Sequence, residues 1–84
     1  MKFEVRIFAG MADTMGNRDS ISIELDDASI VTSRLLRETI EEVYPEIAPL
    51  AARSRVVVNE TYVADDHVLG SSDRLALIPP VSGG

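Results

Sequence analysis

The stretch "KFEVRIFA" near the start alternates without interruption: Phe3, Val5, Ile7 and Ala9 point one way, Lys2, Glu4, Arg6 and Phe8 the other. Period two is the geometry of a strand with one buried face, so the chain is committed to a sheet from its first residues. The segment "GMADTMGNRD" reads as a loop of small and polar residues. Alternation resumes in "SISIEL", where Ile21, Ile23 and Leu25 interleave with Ser20, Ser22 and Glu24, and the two strands are expected to pair as a hairpin. The period then changes. In "VTSRLLRETIEEVYPEI" the apolar residues Leu36, Ile40, Val43, Tyr44 and Ile47 recur at helical spacing. Asp26, Asp27, Ser29 or Thr32 can accept from the free N–H groups of a first turn. Pro45 disfavours a helical Tyr44 and ends the helix, with room for a short turn after it. "RVVVN" is a β-branched strand, Asn59-Glu60 a turn, "TYV" a short return strand and "DDHVLGSSD" a loop. "RLALI" is the last strand, closed by Pro79 and Pro80, whose ring nitrogens cannot donate to a ladder.

The order β-β-α-β-β-β carries one helix, and packing it on one face of a mixed sheet is the economical way to bury both. With 84 residues, 45% of them hydrophobic, the chain is read as a single α+β domain over residues 1–84, with a flexible tail at 79–84. The opposite sheet face is then uncovered. Phe8 lies on the polar side of its strand, and if Leu75 and Leu77 face the helix, Ala76 and Ile78 join Phe8 outside, with Val57 beside them. Two readings stand: a partner-binding surface, or a patch in which a loop shields Phe8 and the tail shields Ile78.

Charge and composition remove several classes. Eight basic against fourteen acidic side chains give a net charge of -6, which opposes a nucleic-acid partner and favours a basic protein. Without cysteine there is no disulfide framework, no thiolate nucleophile and no cysteine metal site. The N-terminal stretch is neither a signal sequence nor a membrane span, and the expected location is the cytoplasm. Glu38, Glu41, Glu42 and Glu46 look like a carboxylate cluster, but Arg34 and Arg37 precede Glu38 and Glu41 by one turn, the pattern of a solvated helix face. Asp65-Asp66-His67 is read as a surface loop and no metal site is assigned. The serines have no convincing base, and Gly10 and Gly16 form no phosphate-binding motif.

The end "ALIPPVSGG" remains. Pro79 and Pro80 favour an extended root, and Val81, Ser82, Gly83 and Gly84 leave little bulk around the α-carboxylate. From Pro80 to Gly84 the chain reaches at most ~17 Å, enough to enter another protein's active site. An ionised carboxylate is a poor acyl donor, but its adenylate carries a good leaving group that a sulfur nucleophile can displace. Gly-Gly alone is better read as a frayed end.

Taken together, "VRIFA" followed by Gly16, "YPEI", "VVVN" with "YV", and above all "DRLALIPPVSGG" resemble the MoaD/ThiS family of sulfur carriers, typified by the small subunit of molybdopterin synthase. Ser72 stands where that family often has glycine. The resemblance implies a ubiquitin-like β-grasp fold. It implies that an activating enzyme of the ubiquitin-activating type spends ATP to adenylate Gly84, and that a sulfurtransferase system converts it to a transient 1-thioglycine. It also implies a sulfur-donor subunit, with no stably bound cofactor, that works only with the large synthase subunit, in a heterotetramer of two large and two small chains. There the tail would give sulfur to cyclic pyranopterin monophosphate. Phe8 and Ile78, with Val57, are the expected docking residues. Carriers for thiazole, cysteine or tRNA thiolation, a ubiquitin-like modifier, and a plain interaction module remain as alternatives.

Overall fold

The alternating stretches become the strands they predict. A computed structural model describes residues 1–26 and 30–80. Strand β1 (Lys2–Ile7) buries Phe3, Val5 and Ile7 and exposes the residues between them. It pairs antiparallel with β2 (Ser20–Glu24), Phe3 opposite Ile23 and Val5 opposite Ile21, so one face of the hairpin is wholly apolar. Strands β3 (Arg55–Val58), β4 (Thr61–Tyr62) and β5 (Leu75–Ile78) complete a five-stranded sheet of order β2-β1-β5-β3-β4. The pairing of β1 with β5 is parallel and the others antiparallel, so the sheet is mixed. Asn59 and Glu60 join β3 to β4 with φ of 50° and 72°, two left-handed positions in succession, the geometry that suits the twist of a tight hairpin.

Helix α2 (Ser33–Val43) covers the inner face through Leu36 and Ile40, both fully buried. Thr32 caps it, its hydroxyl accepting from Leu35 N at 3.2 Å. Of the other candidates for this start, Asp27 and Ser29 lie outside the described residues. Val43 shares the apolar helical spacing, yet it is 55% exposed. It falls in the last helical turn, and Tyr44 closes that end instead, donating its hydroxyl to the Ser22 carbonyl at 2.9 Å. The helix stops before Pro45 as expected.

Two further helices correct the sequence reading. The expected loop after β1 contains α1 (Ala9–Thr14), which buries Met11 completely. Gly16, at φ 73°, ends it: Gly16 N donates to Asp13 O at 3.2 Å and Asn17 N to Ala12 O at 2.8 Å, a Schellman closure that needs a left-handed residue at that point. Ala9 does not continue the inward face of β1; it is exposed, with φ of 53°, and turns the chain into α1. After a 3-10 turn at Pro45–Ile47, helix α3 (Ala48–Ala52) buries Ala51 beside Ile47. A methyl group on Gly10 would stand 3.1 Å from Leu50 Cδ1, so α1 and α3 pack closely. The order is therefore β-α-β-α-α-β-β-β, with the buried apolar side chains of the described residues in one cluster between the sheet and the helices. Among the described residues no helix is long and apolar enough to cross a membrane.

Candidate docking face and tail root

The outer face of the sheet is built by strand register. Arg6 stands opposite Ala76, Ala76 opposite Val57 and Val57 opposite Tyr62, which puts one row across four strands. In the next row Ile78 stands opposite Arg55, and Phe8 follows Ile7, the partner of Leu77. All of these side chains point away from α2, because their neighbours Val5, Ile7, Val56, Val58, Leu75 and Leu77 point toward it.

Phe8, Val57 and Ile78, singled out from the sequence, thus meet on one surface. They line a groove of about 300 Å³ together with Arg6, Arg74, Glu60, Leu75 and Ala76. Phe8 is 36% exposed, so its local loop does not cover it. Pro79 and Pro80 line an adjoining groove of about 320 Å³ with Arg53, Arg55, Tyr62 and Ile78. Ile78 belongs to both, and the described part of the tail leaves the sheet along this face. Val81, Ser82, Gly83 and Gly84 lie outside the described residues.

The sequence reading does not find Tyr62 or the arginines. Tyr62 is 53% exposed on the edge strand, and the Arg55 guanidinium sits 4.6 Å from its ring centroid. Arg6 likewise sits 5.3 Å from the Phe8 ring. Each charge is held against an aromatic face, a cation–π arrangement that orders a long side chain. The signal was present as Arg53, Arg55 and Val57 at period two, alternating with buried residues.

The acidic and helical features resolve differently. Arg34 Nε pairs with Glu38 Oε2 at 3.1 Å on the solvated face of α2. Asp65 accepts from Arg37 Nη1 at 3.0 Å, and the Asp65 and His67 carbonyls accept from Arg34 N and Ser33 N at 3.0 and 2.9 Å. The 64–67 loop therefore serves the start of α2, taking up N–H groups that no helical carbonyl can reach. Buried Ser33 completes this joint, its Oγ donating to Ala64 O at 2.6 Å. Among the described residues no group of three or more His, Cys, Asp or Glu side chains is arranged to hold a metal.

At the other end of β5, Asp73 Oδ2 accepts from Gly70 N at 2.8 Å and Oδ1 from the Asn59 amide at 3.0 Å. These bonds, the one from Gly70 first, hold the Asp73 carboxyl below its ordinary value of 3.8.

Residues 5–84, from within β1 through the Gly-Gly end, match the ThiS family. The chain belongs to the ThiS family. A molybdopterin synthase sulfur carrier subunit from Dictyostelium discoideum is 34% identical, over 99% of this chain and 96% of its own length. Among solved structures, a putative molybdopterin converting factor subunit 1 from Pyrococcus furiosus is 27% identical, with a TM-score of 0.75 over 96% of this chain and 99% of that one. The complex of subunits 1 and 2 of molybdopterin-converting factor from Helicobacter pylori 26695 contains a chain of the same fold, 21% identical, with a TM-score of 0.66 and full coverage of both chains. The fold of this ThiS-family chain is the ubiquitin-like β-grasp.

Proposed function

We propose that this chain is the sulfur-carrier subunit of a molybdopterin synthase, and that Gly84 carries the sulfur. The observation that supports it most is the tail root: β5 ends in Pro79-Pro80 on the margin of the exposed apolar face formed by Phe8, Val57 and Ile78. A partner seated on that face lies within reach of the chain end. The names carried by the Dictyostelium and Pyrococcus relatives, and the two-subunit complex from Helicobacter, point to the same partner.

The chemistry divides between proteins. The Gly84 carboxylate attacks the α-phosphorus of ATP on an activating enzyme of the ubiquitin-activating type, giving an acyl-adenylate and pyrophosphate. A sulfurtransferase system supplies sulfur at the oxidation level of sulfide; its attack on the acyl carbon forms the C–S bond, breaks the C–O bond to AMP, releases a proton and leaves a thiocarboxylate. Inside the large subunit the thiocarboxylate gives its sulfur to cyclic pyranopterin monophosphate, and water restores the carboxylate. The globule contributes a docking surface and a fixed tail root. Gly83 and Gly84 contribute the absence of side chains around the reacting carbon.

Reconstitution tests this reading. Chain carrying a chemically installed C-terminal thiocarboxylate, mixed with the large subunit and cyclic pyranopterin monophosphate, is expected to yield molybdopterin and return to its carboxylate mass. Turnover of the pyranopterin without loss of sulfur from the chain would contradict it.

A further inference from the structure

The chain carries a net charge of -6, yet the part of its outer sheet face around the two grooves is locally basic. Four of its eight basic side chains, Arg6, Arg53, Arg55 and Arg74, line the two grooves, against one acid, Glu60. Their compensation is uneven. Arg74 lies 3.8 Å from Glu60, and Glu4 stands across from Arg74, one position before the Val5–Leu75 pair. Arg6, Arg53 and Arg55 have no carboxylate partner among the described residues. The uncompensated charge is therefore concentrated where Phe8, Ile78, Pro79 and Pro80 lie, at the root of the tail.

The arrangement of these charges suits protein carboxylates. A guanidinium has five N–H donors, and a contact with a ring face uses none of them as a partner for a carboxylate. Arg6 lies over Phe8 and Arg55 over Tyr62, at the margins of the apolar strip formed by Ala76, Val57 and Ile78, Arg6 opposite Ala76 and Arg55 opposite Ile78. An apolar centre rimmed by ordered, unpaired arginines is complementary to an apolar surface rimmed by Asp and Glu. Net charge favours a basic partner; the local distribution selects the opposite sign.

Building on the sulfur-carrier reading, we infer that this face docks on an acidic-rimmed apolar surface of the large synthase subunit, with Arg6, Arg53 and Arg55 facing its carboxylates. The charge pairing orients the globule so that the tail root, Pro79 and Pro80 beside Arg53 and Arg55, faces the partner's active site.

The test is the dissociation constant of the full chain for the large subunit, measured from about 0.05 to about 0.5 M salt, where screening of charges across an interface rises steeply. Wild-type binding is expected to weaken about tenfold or more across that range, and an Arg6→Glu/Arg55→Glu chain to bind about tenfold or more weaker at low salt. Arg34→Glu, on the solvated face of α2, is expected to stay within about twofold. Circular dichroism checks that each variant is folded, and the wild-type salt series stands without them. Binding that ignores both salt and the reversals overturns the charge pairing and leaves the sulfur-carrier reading intact. Tighter binding by the reversed chain overturns it in favour of a basic partner surface. Absence of wild-type binding at every salt concentration overturns both.

Discussion

The Asn59 side chain joins the β3–β4 turn to the start of β5 through Asp73: its amide donates to Asp73 Oδ1 at 3.0 Å while its carbonyl oxygen accepts from Arg74 N at 2.9 Å. Because Asp73 is more acidic in the folded chain than in the unfolded one, its ionised form favours folding. That contribution is fully present above the unfolded value near 3.8 and is lost as pH falls through the lower folded value. The urea midpoint of the wild type should therefore fall between pH 6 and strongly acid pH, and Asp73→Asn should reduce that fall while lowering the midpoint at pH 6. An equal acid-induced fall in wild type and variant would contradict the assignment.

Met11 tests whether α1 belongs to the core. It is fully buried although its helix is only six residues long. Met11→Ala is expected to cost about 2–5 kcal/mol, the range for deleting a large buried side chain. Urea unfolding measures it, and a loss below about 1 kcal/mol would mean that α1 is peripheral.

Phe8 separates docking from folding. It is exposed at the groove, so Phe8→Ala should change stability by no more than about 1 kcal/mol. Binding to the large subunit should weaken about tenfold or more, the behaviour of an aromatic anchor at the centre of an interface. An unchanged dissociation constant would remove Phe8 from the docking surface.

The tail should be dispensable for folding and indispensable for sulfur transfer. Deleting Gly84, or adding one alanine after it, is expected to abolish molybdopterin formation while leaving the melting temperature within about 2 °C of wild type, since the terminal glycine brings no side chain to bury. Retained synthase activity in either variant would refute a reaction at the Gly84 carbonyl.

What the sequence discloses follows its periods. Phe3, Val5 and Ile7, or Leu75 and Leu77, announce a buried face because a strand repeats every two residues and the pattern is strict there. The outward placement of Phe8, Val57 and Ile78 follows from the same parity. Helix α1 is hidden because six residues with a single buried side chain, Met11, make no helical period, and its one signal, Gly16 as a C-terminal stop, also suits a loop. Helix α3 is hidden behind Pro45 and Pro49, which break a helix in the interior but suit its first turn. The arginine rim escapes for another reason. Net charge averages over the chain, whereas Arg6 and Arg55 meet on one face only after β5 has been placed between β1 and β3.

Whether Gly84 is a sulfur-carrying acyl group is decided by the intact mass of the chain after incubation with its activating enzyme, ATP and a sulfur source, beside a Gly84-deleted control. A mass increase equal to replacing one oxygen by sulfur, in the full-length chain alone, is the expected result. An unchanged mass with an activating enzyme proven competent toward this chain by pyrophosphate release, or the same increase in the deleted control, would contradict a Gly84 thiocarboxylate.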